Sequence, residues 1–103
     1  MAKGYWIAKV DISDADAYGK YIAANAEPFT KFGAKFLVRG GDYKIMEGAS
    51  RDKQVVLEFA DYATAMACYD SPEYQAALKL RENVSEGDLV IVEGYDGPQP
   101  GES

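Results

Sequence analysis

Tyr69-Asp70-Ser71-Pro72-Glu73-Tyr74-Gln75 stops one helix and starts another within a few residues. Ser71 is a good helix cap because its hydroxyl can accept a backbone N–H. Pro72 suits the first helical position, where its missing N–H costs nothing. Glu73 then puts a carboxylate in the first turn, where the helix dipole favours negative charge. One uninterrupted helix would be enough to cover a sheet, so this bent pair is a specific architectural signal.

Working outward, Asp61 caps the helix that ends at this joint, with Tyr62, Met66 and Tyr69 as one stripe. The helix after the joint is expected from Pro72 to about Asn83. Upstream, Tyr5 to Ile12 alternates Trp6, Ala8, Val10 and Ile12 against Tyr5, Ile7, Lys9 and Asp11, which reads as a strand. Ser13 or Asp14 caps a helix carrying Tyr18, Tyr21, Ile22, Asn25, Phe29 and Phe32 at helical spacing, with Gly33 as its stop. Pro28 falls inside that pattern and predicts a kink or break near Ala26. Lys35 to Arg39 is a second strand with a bulge or bend at Gly40-Gly41, and Tyr43 to Glu47 reads as a short extension of it. Gly48 to Asp52 forms a turn, Gln54 to Phe59 a third strand and Asp88 to Tyr95 the last.

The order is β-α-β-β-α-β, the ferredoxin-like α+β pattern: a four-stranded antiparallel sheet with the helices on one face. Residues 1–95 form the single domain expected of a 103-residue chain, and residues 96–103 read as a flexible tail. We assign Trp6, Ala8, Val10, Phe36, Val38, Val55, Leu57, Phe59, Val90 and Val92 to the helix side. The opposite face then holds Tyr5, Ile7, Lys9, Lys35, Leu37, Arg39, Gln54, Val56, Glu58, Leu89, Ile91 and Glu93. Its apolar centre predicts a homodimer joined through this open face.

Composition excludes several classes of function. Hydrophobic residues make up 48%, too many for a disordered chain, yet no apolar run approaches the about 20 residues that span a bilayer. The formal net charge is −6 and the eleven Lys and Arg are scattered, which speaks against nucleic acid as a partner. The N-terminus lacks an apolar signal core and the single Cys68 cannot form an internal disulfide, so a cytoplasmic protein is expected. No histidine is present, which removes the Ser-His-Asp and Cys-His arrangements and the usual imidazole metal ligands. No spacing of Cys, Asp or Glu makes a metal site, and no motif calls for a cofactor.

Several blocks align, in order and spacing, with one family: Gly4-Tyr5-Trp6-Ile7-Ala8, Phe36-Leu37-Val38-Arg39-Gly40-Gly41, Glu47-Gly48, Val55-Val56-Leu57-Glu58-Phe59, the Tyr69-to-Gln75 joint, and Asp88-Leu89-Val90-Ile91-Val92-Glu93-Gly94. Together they closely resemble the small bacterial proteins of domain-of-unknown-function family 1330, over Gly4 to about Tyr95. The resemblance implies a dimeric α/β barrel but no reaction. The wider group includes cofactor-independent monooxygenases, haem-handling enzymes and stress-induced barrel proteins.

Catalytic chemistry must then rest on Asp, Glu, Tyr, Lys or Arg. Arg39 is the first candidate, as a guanidinium that clamps a carboxylate or enolate; the competing reading is an intersubunit salt bridge. Glu58 is a general base if burial raises its pKa, and otherwise a cross-strand partner of Lys35. Lys9, Tyr69, Ser71, Tyr74 and Arg81 are the candidate ligand-binding residues. Arg81 shares the helix stripe of Tyr74, Ala77 and Leu78. Two functions fit: a cofactor-independent enzyme acting on a small hydrophobic or aromatic anion, or a non-catalytic binding or stress-response module. A face that serves dimerisation alone is the third reading.

Overall fold

The computed structural model describes residues 2–102 and runs β1 (Gly4–Ile12), α1 (Ala15–Lys31), β2 (Lys35–Arg39), β3 (Lys53–Phe59), α2 (Tyr62–Asp70), α3 (Pro72–Lys79) and β4 (Ser85–Glu93). The sheet order is β2-β3-β1-β4 with every neighbouring pair antiparallel, so the ferredoxin-like expectation holds, with the second helix split in two at Ser71. None of the described helices is long and apolar enough to cross a membrane.

Local chemistry places the helix ends. Asp14 caps α1 by accepting from the Ala17 N–H (3.1 Å). Gly33, at φ +70°, ends the helix in a Schellman motif: its N–H donates to Thr30 O and that of Ala34 donates to Phe29 O. The break expected near Ala26 does not occur, and α1 runs continuously through Pro28. Pro28 lies in the last turn, so only one ladder bond is forgone, and its ring is buried. Its carbonyl still accepts from the Phe32 N–H (3.0 Å).

Register decides which residues share a face. One row across the sheet is Phe36, Leu57, Trp6 and Ile91, and the next is Arg39, Val55, Ala8 and Leu89. These rows face the helices. On the other side lie Val38, Val56, Ile7 and Val90, flanked by a row of Lys35, Glu58, Tyr5 and Val92. This corrects two sequence assignments. In β4 the phase is inverted: Leu89 and Ile91 pack on the core, whereas Val90 and Val92 are exposed on the open face. A run of four consecutive apolar residues carries no alternation, so pairing with β1 alone sets its phase. In β2 a bulge between Phe36 and Val38, earlier than Gly40-Gly41, reverses the strand, so Val38 takes the open face and Arg39 the helix side. Residues 43–47 form no strand, because no neighbouring strand is there to bond them.

The core lies between sheet and helices, centred on Trp6, Leu57, Phe59, Ala65, Cys68, Tyr74 and Ala77. Gly4 allows α2 to approach β1 closely, since a Cβ there would stand 2.3 Å from Asp61 O. Cys68 is buried, and burial pushes its thiol pKa up to about 12, with Glu73 adding to the rise, so it is an inert packing group. The molecule is only 16 Å thick in its shortest dimension, one sheet plus one helix layer, and among the described residues none covers the far side, where Ile7, Val38, Val90 and Val92 are exposed.

Candidate functional site

The Tyr69-to-Gln75 stretch is a self-satisfying joint. Ser71 Oγ accepts from the Tyr74 N–H (3.2 Å) and donates to Cys68 O (2.7 Å), while Gln75 Nε2 donates to Tyr69 O (2.6 Å). The open carbonyls at the end of α2 and an open N–H at the start of α3 are thereby matched. Glu73 bonds Lys31 Nζ (2.6 Å), which ties α3 to α1 and holds the Glu73 carboxyl below its usual pKa. Ser71 has no hydrogen left to donate to a ligand, so its place is in the joint. Ser71→Ala should cost about 1–2 kcal/mol of folding stability, read by urea titration.

The turn in direction at Ser71 aims Tyr74 and, on the same stripe just past the end of α3, Arg81 into the space between sheet and helices. There a cavity of about 80 Å³ opens. Its walls are aromatic: Trp6, Phe29 and Phe36 with Tyr18, Tyr21 and Tyr74. The Tyr21 and Tyr74 hydroxyls are 2.7 Å apart, and an Arg81 guanidinium nitrogen donates to Tyr74 Oη (3.4 Å). Arg81 also lies over the Tyr21 ring at 5.3 Å. Burial, followed by the neighbouring Tyr21, raises the Tyr74 pKa strongly, so Tyr74 stays a neutral phenol.

Three cations meet this cavity: Arg39, Lys53 and Arg81. Arg39 lies over the Phe36 ring at 4.1 Å and Lys53 over Tyr18 at 5.5 Å. Burial lowers the Lys53 pKa, and the nearby Arg39 charge lowers it further, as expected of a cation that lacks a counterion. The acidic residue of the lining, Asp88, is already held by Arg51 Nε at 3.0 Å.

Of the residues singled out in the sequence, Arg39, Tyr74 and Arg81 therefore come together. The others do not join them. Lys9 stands on the open face opposite Gln54 and Asp88. Glu58 is on the same open face, where the Tyr5 hydroxyl donates to its Oε2 (3.0 Å) and is itself raised in pKa by that bond. Arg39 and Glu58 thus stand on opposite sides of the sheet and cannot act on one small molecule within a subunit. Tyr69 packs edge-on against Trp6 (5.8 Å) behind the cavity wall. The cavity also uses Tyr18, Tyr21, Asn25 and Lys53, which the sequence reading left in the core stripe or unremarked. The available signal was two phenols and an amide on the apolar stripe of α1, where a helix that only packs would carry aliphatic groups.

A two-layer βαββαβ domain, here with an aromatic cavity between the layers, defines the class as a ferredoxin-like α+β protein. The sequence profile described as Domain of unknown function (DUF1330) matches residues 3–95, and the chain belongs to that family. None of the curated proteins matches it. Among solved structures, the chain is similar to RPA0582, a protein of unknown function from Rhodopseudomonas palustris. That alignment has 17% identity and a TM-score of 0.73, covering 93% of this chain and 85% of that one. A dimeric ferredoxin-like protein of unknown function from Thermobifida fusca is 22% identical, with TM-score 0.57 and 89% of each chain covered. SnoaB, a cofactor-independent oxygenase from Streptomyces nogalater, is 9% identical, with TM-score 0.61, 94% of this chain and 97% of that chain covered. These likenesses establish the fold.

Proposed function

We propose that this protein acts as a homodimer in which each subunit binds a small organic anion with an aromatic or hydrophobic body. One observation carries the binding reading: Arg39, Lys53 and Arg81 converge on an aromatic cavity that offers them no free carboxylate, in a chain whose net charge is −6. An anionic head group would neutralise these cations, and aromatic walls would bury the rest of the molecule. The dimer reading rests on the open face. There Ile7, Val38, Val90 and Val92 are exposed, and beyond β2 Tyr43, Ile45 and Met46 are exposed as well. Relatives of the same fold are described as dimeric.

The test is thermal unfolding across a library of aromatic and aliphatic carboxylates at fixed protein concentration. A ligand present at a hundred times its Kd should stabilise the fold by about 2.7 kcal/mol. Arg39→Met should weaken that ligand by roughly tenfold or more, the worth of a charge-assisted bond. Stabilisation by no carboxylate, or an affinity untouched in an Arg39→Met, Lys53→Met double variant, would sink the reading. Turnover of the bound anion without a cofactor is the second reading. It is favoured by the Tyr21–Tyr74 pair, whose hydroxyl oxygens stand 2.7 Å apart, close enough to relay a proton.

A further inference from the structure

The cavity has two chemically different walls: two of its three cations stand on the sheet side, while the helix side, where Arg81 is engaged with Tyr74, carries neutral polar groups. Arg39 and Lys53 rise from β2 and β3 at the sheet edge. From the helices come Tyr21, Asn25 and Tyr74. Asn25 is only 7% exposed and lines the cavity, yet its amide makes no hydrogen bond among the described residues. The amide's two N–H donors are reachable from the cavity and have no partner in the chain's described part, so they are free to meet a bound group. The hydroxyl pair has a similar surplus. Tyr74 Oη accepts from Arg81, and the two phenols share one hydrogen bond, which uses one of their two hydrogens. Whichever phenol donates, the other hydrogen has no acceptor among the described residues. The Asn25 amide and one phenol therefore present unmatched donors to the same cavity.

Building on the anion-binding reading above, we infer that the ligand is bifunctional. It carries an anionic group for Arg39 and Lys53, and a separate oxygen acceptor that receives the spare hydrogens of the Tyr21–Tyr74 pair and of Asn25. A carbonyl is the group that fits. It accepts from two donors at once without taking a proton from either. The substrate class is thus the aromatic or hydrophobic oxo acids rather than simple carboxylic acids. In this assignment the Tyr21–Tyr74 pair and Asn25 determine specificity, whereas Arg39 and Lys53 supply general anion affinity.

Titration calorimetry with the carboxylate library arranged in matched pairs separates the two claims. Each pair differs by one carbonyl oxygen: 4-acetylbenzoate with 4-isopropylbenzoate, 3-benzoylpropionate with 4-phenylbutanoate, and so on through chain lengths. The oxo member of the best-binding pair should bind about tenfold more tightly, the worth of one or two net hydrogen bonds. In a Tyr21→Phe, Tyr74→Phe double variant and in Asn25→Leu that preference should shrink toward unity, with the member that lacks the carbonyl little changed. The double variant keeps both rings, so a folding failure of Asn25→Leu still leaves the comparison intact. Pairs bound equally by the unaltered protein would overturn the oxo-acid inference while leaving anion binding in place. So would a preference that survives in both variants. Binding of no member of any pair would overturn both claims.

Discussion

Trp6→Ala should lower folding stability by about 3–5 kcal/mol, the largest loss expected of any single substitution in this chain. Trp6 is 2% exposed and sits where the helices and the sheet meet. Its ring centroid lies 5.4 Å from both Phe29 and Phe59 and 4.9 Å from Tyr74. Its indole N–H donates to Ala65 O at 2.9 Å, so β1 is bonded directly to α2. Alanine removes the ring from four aromatic neighbours and leaves a void that a close-packed core cannot fully close. At the scale of a domain this size, the melting temperature should fall by more than about 12 °C at matched protein concentration. Trp6→Phe keeps most of the packing and forfeits mainly the hydrogen bond, so its loss should be nearer about 1 kcal/mol. A loss below about 1.5 kcal/mol for alanine would show that Trp6 is not the centre of the core.

The second large effect concerns the open face. Ile7→Lys should convert the proposed dimer to monomer, weakening association by about a thousandfold or more. Ile7 stands in the row Val38, Val56, Ile7 and Val90 that crosses all four strands. In an isologous pair each substitution enters the interface twice, and an uncompensated buried charge costs about 3–5 kcal/mol. Ile7 is 38% exposed in the single subunit, so lysine there faces solvent when alone and should leave the subunit's own fold intact. Light scattering after size exclusion gives the mass, and circular dichroism checks the fold. A variant that stays dimeric would place the contact elsewhere, for instance along the exposed residues Tyr43, Ile45 and Met46.

Both effects show how the two faces of one sheet are put to separate uses. The helix-side rows close a core and a cavity, while the far rows offer an apolar surface of β-branched residues. The bulge in β2 links them. By turning Arg39 from the far face to the helix side, it supplies the cavity with a cation that a regular strand would have sent toward the other face.

The element order was legible in the chain because its signals are local. Asp14, Asp61 and Ser71 cap helices through bonds that span three residues, and Gly33 adopts the positive φ that its position demands. The joint at Ser71 was legible for the same reason. Three features were not. The phase of β4 depends on which residue of β1 lies opposite, and Leu89-Val90-Ile91-Val92 has no polar residue to mark an outer side. The side on which Arg39 lies depends on one extra residue that only pairing with β3 reveals. The cavity depends on α1 and α3 meeting over the sheet, which brings Tyr21 within 2.7 Å of Tyr74 across 53 residues of chain. Sequence by itself determined what each segment is, since helix caps, turns and alternation are bonds between near neighbours. Tertiary structure alone decided which face each side chain serves, because that depends on contacts between residues far apart in the chain.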